Sequence, residues 1–376
     1  MKTHEKHGLM YAVAIIMGTI IGAGILGLPY AVSVAGVIPG LILMGIVASC
    51  MTLLMLYLAE TALRCHRIYQ LPGLVAKYMG KKYKIIAMIL FVIGIYGALI
   101  SYIIGVSETL AHLTGGSAYF YKFLFTGLAS LPILYGLKTV QRFQFVLTIM
   151  LGALIAFICL MISPKIDVNN LLFADYKSFF YPFGIIFFAL TGYSVMPELE
   201  QIMTKSRVKI DDAIIIAVLL STVLYSFFII SFVGVYGNNV SQVATESLSN
   251  TLGLFGNGIA IFGMTTSFLG LGLAVRDAFV RDLRLNKVLG WALAIGIPFA
   301  VSMTPNLEFI QPILITGAYT GTLTGFLIIM TIHKARKTRG DKPAFVTPFG
   351  TVGMILVSIM LFLGLISTTL ELIGVI

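Results

Sequence analysis

The sequence predicts an all-α integral membrane protein: eleven spanning helices arranged as two inverted five-helix halves, with one further helix at the end. Three observations carry this reading. Hydrophobic residues make up 59% of the 376 and charged residues only 11%, and the mean hydropathy is +1.00, whereas soluble domains carry about 25% charge. Apolar stretches recur at the length of about 20 residues that a membrane-crossing helix needs. Two of them, the first and the sixth, are interrupted midway by glycines and small polar residues.

In chain order the apolar stretches cover 10–35, 37–63, 84–112, 118–137, 143–163, 178–202, 211–236, 250–276, 288–304, 306–332 and 349–375. They lack strand alternation and are too long for barrel strands, so a helical bundle is the spanning architecture. Span 1 follows the basic start MKTHEKH. Its apolar run continues past the small-residue GAG where a signal peptide would be cleaved, so it is read as a retained helix. Spans 2 and 3 are joined by RCHRIYQLPGLVAKYMGKKYK, which fits a short interfacial helix, and span 5, FQFVLTIMLGALIAFICLMIS, carries no charge. Repeat one is expected over about 9–163, repeat two over about 178–333 and the extra helix over about 349–375, all in one domain.

Orientation follows from Lys and Arg, which accumulate in cytoplasmic loops. With the N-terminus inside, only Lys122, Lys165 and Lys177 of the 25 basic residues fall on the outer side. Eleven spans then place the C-terminus outside, in a plasma (inner) membrane. The net charge of +10 is read as this topology signal and not as a nucleic-acid footprint.

Other chemistries are weakly represented. Cys50, Cys65 and Cys159 lie in helices or at a cytoplasmic end and are expected as free thiols. His4 and His7 lack the spacing of a metal-binding helix motif, and there is neither a GxxxxGK[ST] loop nor an HExxH pair. No enzyme and no cofactor are expected. Asn239-Val240-Ser241 is a formal glycosylation sequon of little weight.

The interruptions carry the functional signal. In span 1, GTIIGAGILGLPYA places Gly18, Gly22, Gly24 and Gly27 within the apolar run; span 6 reads YPFGIIFFALTGYSVMPELE, with Thr191, Gly192, Tyr193, Ser194 and Pro197 in its interior. Close helix packing is the ordinary explanation of such glycines. The matching interruption in the second half favours broken helices instead. Gly22 lies about 13 residues from the inner start of span 1 and Gly192 about 13 from the outer start of span 6, so both breaks sit about 20 Å deep, approached from opposite faces. Paired breaks of this kind point to the binding site of a secondary transporter. The half-helix N-termini suit a carboxylate, and the opposite ends offer carbonyls to a cation or an ammonium.

GTIIGAGILGLPYA, FFALTGYSVMPELE and TTSFLGLGLAVRD in span 8 together resemble the amino acid/auxin permease family, and spans 1 and 8 resemble its bacterial tyrosine/tryptophan permease branch. The resemblance covers nearly the whole chain. It implies a LeuT-type five-plus-five inverted repeat with broken helices 1 and 6 plus an eleventh helix, and symport of an amino acid with Na⁺ or H⁺. It also implies that the substrate carboxylate meets the backbone of Gly22, Ala23 and Gly24, with Thr19 lining the site. Phe188, Ala189, Thr191, Gly192 and Tyr193 would hold the amino group and shape the pocket, facing Ser101 and Tyr102 of span 3.

For a coupling Na⁺ the resemblance implies carbonyls of Gly18, Ile21 and Gly263 with the hydroxyls of Thr266 and Ser267, an all-oxygen set that a hard cation prefers. The competing reading of Thr266 and Ser267 is that hydroxyls in membrane helices bond back to their own backbone. Some proton-coupled relatives place a lysine from helix 5 at this position, and span 5 has none. Glu108, Glu198 and Glu200 are the gating or proton candidates, but Glu108 lies about 36 Å along a straight helix from Lys84, near the outer surface. Na⁺ is therefore favoured over H⁺. The substrate class is neutral amino acids, aromatic ones first; the alternative is an amino acid sensor of the same fold. The remaining partner is the lipid bilayer; the oligomeric state is left open, with a monomer as the simplest expectation, and the compact loops fit a prokaryotic plasma membrane.

Overall fold

The computed structural model describes residues 3–372 except 66–67, 197–198, 200–209, 249, 306, 308–311, 314–315, 339–342 and 344. Among these residues the chain is helical, and its strand-like pairing is one isolated bridge between Gly36 and Ala174. Span 1 is two helices, α1 (Thr3–Ile20) and α2 (Gly24–Ala35), bent by 59° at the break. Gly36 then turns the chain directly into α3 (Val37–Leu63) with φ of +95°. That conformation favours glycine, and a β-carbon there would also collide with the Phe173 carbonyl.

The loop between spans 2 and 3 contains the expected short helix, α4 (Leu71–Met79), with Pro72 in its first turn. Leu71, Leu74 and Val75 are buried while Lys77 is exposed, and the Gly73 amide donates 2.9 Å to the Asp282 carboxylate. Next come α5 (Lys81–Thr114), α6 (Ala118–Tyr135) and α7 (Leu137–Ile162). α7 begins earlier than the apolar pattern at residue 143, because a helix continues beyond the apolar stretch with Lys138 and Arg142 as its polar end.

Asp167 caps the short α8 (Val168–Leu172), its carboxylate accepting from the Asn169 amide at 2.9 Å. The chain then returns past Gly36, where the Asp175 amide donates 2.9 Å to the Ala35 carbonyl, and enters α9 (Phe183–Ala189), the first half of span 6. The later spans contain α10 (Ile210–Tyr236), α11 (Asn250–Asp277), α12 (Lys287–Ser302), α13 (Thr322–Lys337) and α14 (Gly350–Leu372). α11 runs on into a π-turn, Ala278–Asp282, and a second π-segment, Thr316–Gly321, precedes α13.

Six of the described helices are each long and apolar enough to cross a membrane, and the bent pair α1 and α2 makes a seventh. α11 packs along α5 and α7, while α1 lies among α7, α10 and α11, so both interrupted spans sit at the centre. Outward faces carry exposed Ile, Leu and Phe, as at Ile85, Phe123 and Leu219. The three cysteines are free and buried.

One buried ionic group ties the periphery together. Glu60 of α3 is fully buried and accepts from Arg336 of α13 at 3.0 and 2.6 Å, from Arg64 at 2.8 Å and from the Thr347 amide at 2.9 Å. A buried carboxylate needs this degree of pairing to offset its desolvation.

Candidate functional site

The break in span 1 begins where Ile21 closes the last full turn of α1 on Met17 at 2.7 Å. Gly22 folds back on the Ile20 carbonyl at 2.9 Å, and α2 starts at Gly24. At the start of α2 the Ile25 and Leu26 amides donate three residues back, to the Gly22 and Ala23 carbonyls at 3.4 and 3.1 Å, in place of the four of a regular helix. Span 6 breaks in the same way. α9 stops at Ala189, Thr191 turns its amide to Phe188 at 3.1 Å and its hydroxyl to Phe187 at 2.8 Å, and a single 3₁₀ turn, Tyr193–Val195, resumes the path.

The two breaks touch. A β-carbon on Gly24 would lie 2.6 Å from the Ala189 Cα, and one on Gly192 would lie 3.0 Å from Ile20. The Tyr225 hydroxyl of α10 lies 2.8 Å from the Ile20 carbonyl and 3.1 Å from that of Ala189, so one side chain reaches the carbonyl end of both broken helices.

Gly22 faces α5 and α11. A β-carbon there would lie 2.5 Å from the Ser267 Oγ and 2.9 Å from the Tyr102 hydroxyl, so glycine makes room for both groups. Below this level lies a cavity of about 50 Å³. Thr19, Tyr102, Phe188, Thr191 and Tyr193 line it, whereas Ser101 is fully buried without lining it. Gly22, Ala23, Gly24, Ala189 and Gly192 form the adjoining breaks.

The same cavity is lined by residues outside the sequence expectation: Phe91, Gly94 and Ala98 of α5, and Thr316, Gly317 and Thr320 of the π-segment before α13. The π-segment is the physical reason that span 10 contributes. A π-turn displaces the helix register and is frequent at functional positions, and here it brings Thr316 and Thr320 opposite Gly97 and Gly94.

The oxygen groups named for a cation also converge. Ser267 Oγ lies 3.2 Å from the Gly18 carbonyl and 3.0 Å from that of Thr19, across the interface between α11 and α1. Thr266 Oγ1 lies 2.8 Å from the Gly263 carbonyl, and a β-carbon on Gly263 would lie 3.7 Å from the Ile21 carbonyl. Thr266 fits the back-bonding pattern; Ser267, which reaches another helix, does not. Neighbouring Thr265 bonds Ile261 at 2.6 Å, the ordinary habit. The donor set, all uncharged oxygens in a buried site, fits a monovalent hard cation.

α7 adds a group that a search for charge passes over. Gln144, 1% exposed, donates its amide to the Thr266 carbonyl at 3.0 Å and lies 3.5 Å from Thr19 Oγ1. Gly270 admits it, since a β-carbon there would lie 2.6 Å from both the Gln144 amide nitrogen and Thr19 Oγ1. A lone glutamine in an apolar span was the signal.

Glu108 is exposed and lines a second cavity, of about 540 Å³, with His112, Glu246 and Asn257. The inner wall of that cavity includes Met264, one helical turn from Ser267. Glu198 and Glu200 lie outside the described residues. Arg276, near the end of α11, lies 3.4 Å from Asp277.

Comparison with known proteins places these features in a family. The model of the tryptophan/tyrosine permease family matches residues 5–369. The tyrosine-specific transport system 1 of Haemophilus influenzae is 23% identical over 95% of this chain and 94% of its own. Glutamine transporter 2 of Aliivibrio fischeri is 22% identical over 84% and 85%, and the amino acid transporter AVT3A of Arabidopsis thaliana 24% identical over 84% and 78%. Among solved structures, MhsT in complex with L-phenylalanine superposes with a TM-score of 0.72 at 15% identity, over 98% of both chains.

Proposed function

The chain belongs to the tryptophan/tyrosine permease family, and from that premise we propose that it is a secondary active symporter that carries neutral, aromatic amino acids with Na⁺ by alternating access. Amino acid transport on a LeuT-type fold follows from the family and the structural likeness together. The ion, the substrate and the direction of coupling belong to the proposal. So are eleven spans with the N-terminus cytoplasmic, which follow from the distribution of basic residues.

One observation carries the reading: Gly22 faces the Tyr102 and Ser267 hydroxyls at once. Tyr102 opens onto the cavity, and Ser267 belongs to the oxygen set around Gly18 and Thr19. A substrate carboxylate on the amides at the start of α2 and a cation on the carbonyls at the end of α1 therefore share three residues of unwound backbone. Binding of either orders the segment that the other uses, and reciprocal coupling of affinities follows. Phe188, Tyr193 and Phe91 supply an aromatic wall for the side chain.

Transport is then a rocking of the interrupted spans against the helices that hold Tyr102 and Ser267. The deciding experiment is uptake of an amino acid panel into proteoliposomes with a Na⁺ gradient and a pH gradient imposed separately. Accumulation of aromatic amino acids driven by Na⁺ alone is expected. Accumulation driven only by the pH gradient overturns the Na⁺ assignment and directs attention to Glu108.

A further inference from the structure

α13 and α14 do not close on each other along their outward faces. Between them runs a groove of about 570 Å³, lined by Phe326, Met330 and His333 on one side and Met354, Ile355 and Phe362 on the other. Met330, Ile355 and Phe362 are 43%, 54% and 57% exposed. The α14 wall extends from Thr351 to Leu363, about 18 Å of helix, close to the depth of one leaflet of a hydrocarbon core about 30 Å thick.

The groove ends in positive charge. Phe326, Met330 and His333 follow the three-and-four spacing of one helix face, and that spacing continues to Lys337, while Lys334 stands one turn from Met330. His333, Lys334 and Lys337 are exposed. Arg336 points the other way, into Glu60. A leaflet-deep apolar trough with two exposed lysines at its polar end matches one ligand chemistry.

We propose that this groove binds one anionic phospholipid from the leaflet on the basic side, with an acyl chain along α14 and the phosphate held by Lys334 and Lys337. A second copy of this chain is the competing occupant. A two-fold contact through the same face would bring the two basic ends together, in a chain that already carries a net charge of +10. An anionic lipid removes that repulsion instead. The proposal is independent of which amino acid or ion is carried.

The test uses the full chain in an uncharged detergent. Native mass spectrometry follows binding of phosphatidylglycerol, phosphatidylcholine with the same acyl chains, and glycerol 3-phosphate. Phosphatidylglycerol is expected to bind about 25-fold more tightly than phosphatidylcholine, about fivefold per lysine, equivalent to about 1 kcal/mol each. Lys334→Gln with Lys337→Gln is expected to erase that preference while both lipids still bind. Ile355→Trp, which fills the trough, is expected to weaken both lipids at least tenfold; Ser358→Phe serves the same purpose if the tryptophan variant does not fold. Equal binding of the two lipids by the unaltered chain overturns the proposal, as does a preference that survives the double glutamine variant. Glycerol 3-phosphate that binds as well as the lipid would make this a free phosphate site, and a dimer that Ile355→Trp dissociates would make it a subunit interface.

Discussion

The hydroxyl of Tyr102 stands in the space that a side chain on Gly22 would occupy, 2.9 Å from where its β-carbon would lie. The break in span 1 is thus shaped from outside, by a tyrosine 80 positions further along the chain. Gly22→Ala is expected to reduce uptake at least tenfold, since overpacking of this kind costs about 1–3 kcal/mol, while the protein remains monodisperse. Gly45→Ala, where a β-carbon meets nothing within 4 Å, is the control and should transport normally. Equal activity of the two variants would remove Gly22 from the site.

Removing the two hydroxyls of α11 separates ion from substrate. Thr266→Ala with Ser267→Ala is expected to raise the half-saturating Na⁺ concentration about tenfold, equivalent to about 1.4 kcal/mol. Substrate KM at saturating Na⁺ should change less than the Na⁺ requirement. An unaltered Na⁺ requirement would show that the cation is bound elsewhere.

Gln144 offers a change of sign at the same place. Gln144→Lys puts an ammonium beside the Thr266 carbonyl and Thr19, where the amide nitrogen now lies at 3.0 and 3.5 Å. Uptake in this variant should lose its dependence on Na⁺, because the fixed charge takes the position of the mobile one. Gln144→Leu should lower uptake without changing the ion specificity. A lysine variant that keeps full Na⁺ dependence would place the cation away from α7.

Much of this site was legible because interruptions are written in residue types. Gly22 and Gly192 stand in apolar runs where nothing but packing or a break accounts for them, and their matched depths distinguish the two. Thr266 and Ser267 entered as cation candidates only through resemblance, since hydroxyl residues are common in membrane helices. The π-segment Thr316–Gly321 was not legible: its extra residue per turn depends on hydrogen-bond register, which a hydropathy pattern does not encode. Gln144 was passed over because span 5 was searched for charge. An uncharged amide inside a bilayer faces the same need for a partner, only less acutely.

Glu60 allows a prediction about stability. Glu60→Gln keeps the shape but leaves Arg336 and Arg64 without their carboxylate, and breaking a buried pair costs about 3 kcal/mol or more. A lowered temperature of thermal inactivation in detergent is expected, with substrate KM unchanged because Glu60 does not line the cavity. Arg336→Lys, which loses the two-pronged contact at 3.0 and 2.6 Å, should lie between the two. Unchanged thermal behaviour of Glu60→Gln would show that the network contributes nothing net.

The pairing of Gly36 with Ala174 and the bond from the Asp175 amide to the Ala35 carbonyl join the end of α2 to the segment leading into α9. These links are made of main-chain atoms, and glycine at position 36 is the one side-chain condition they impose. This link between the two interrupted spans is therefore largely indifferent to side-chain exchange, unlike the bridge that Tyr225 makes between their breaks. Side chains around the cavity can be exchanged by selection without loosening this main-chain joint. Substrate preference and mechanical action are separately heritable in such a design, and a new cargo can be acquired by a carrier that never stops working.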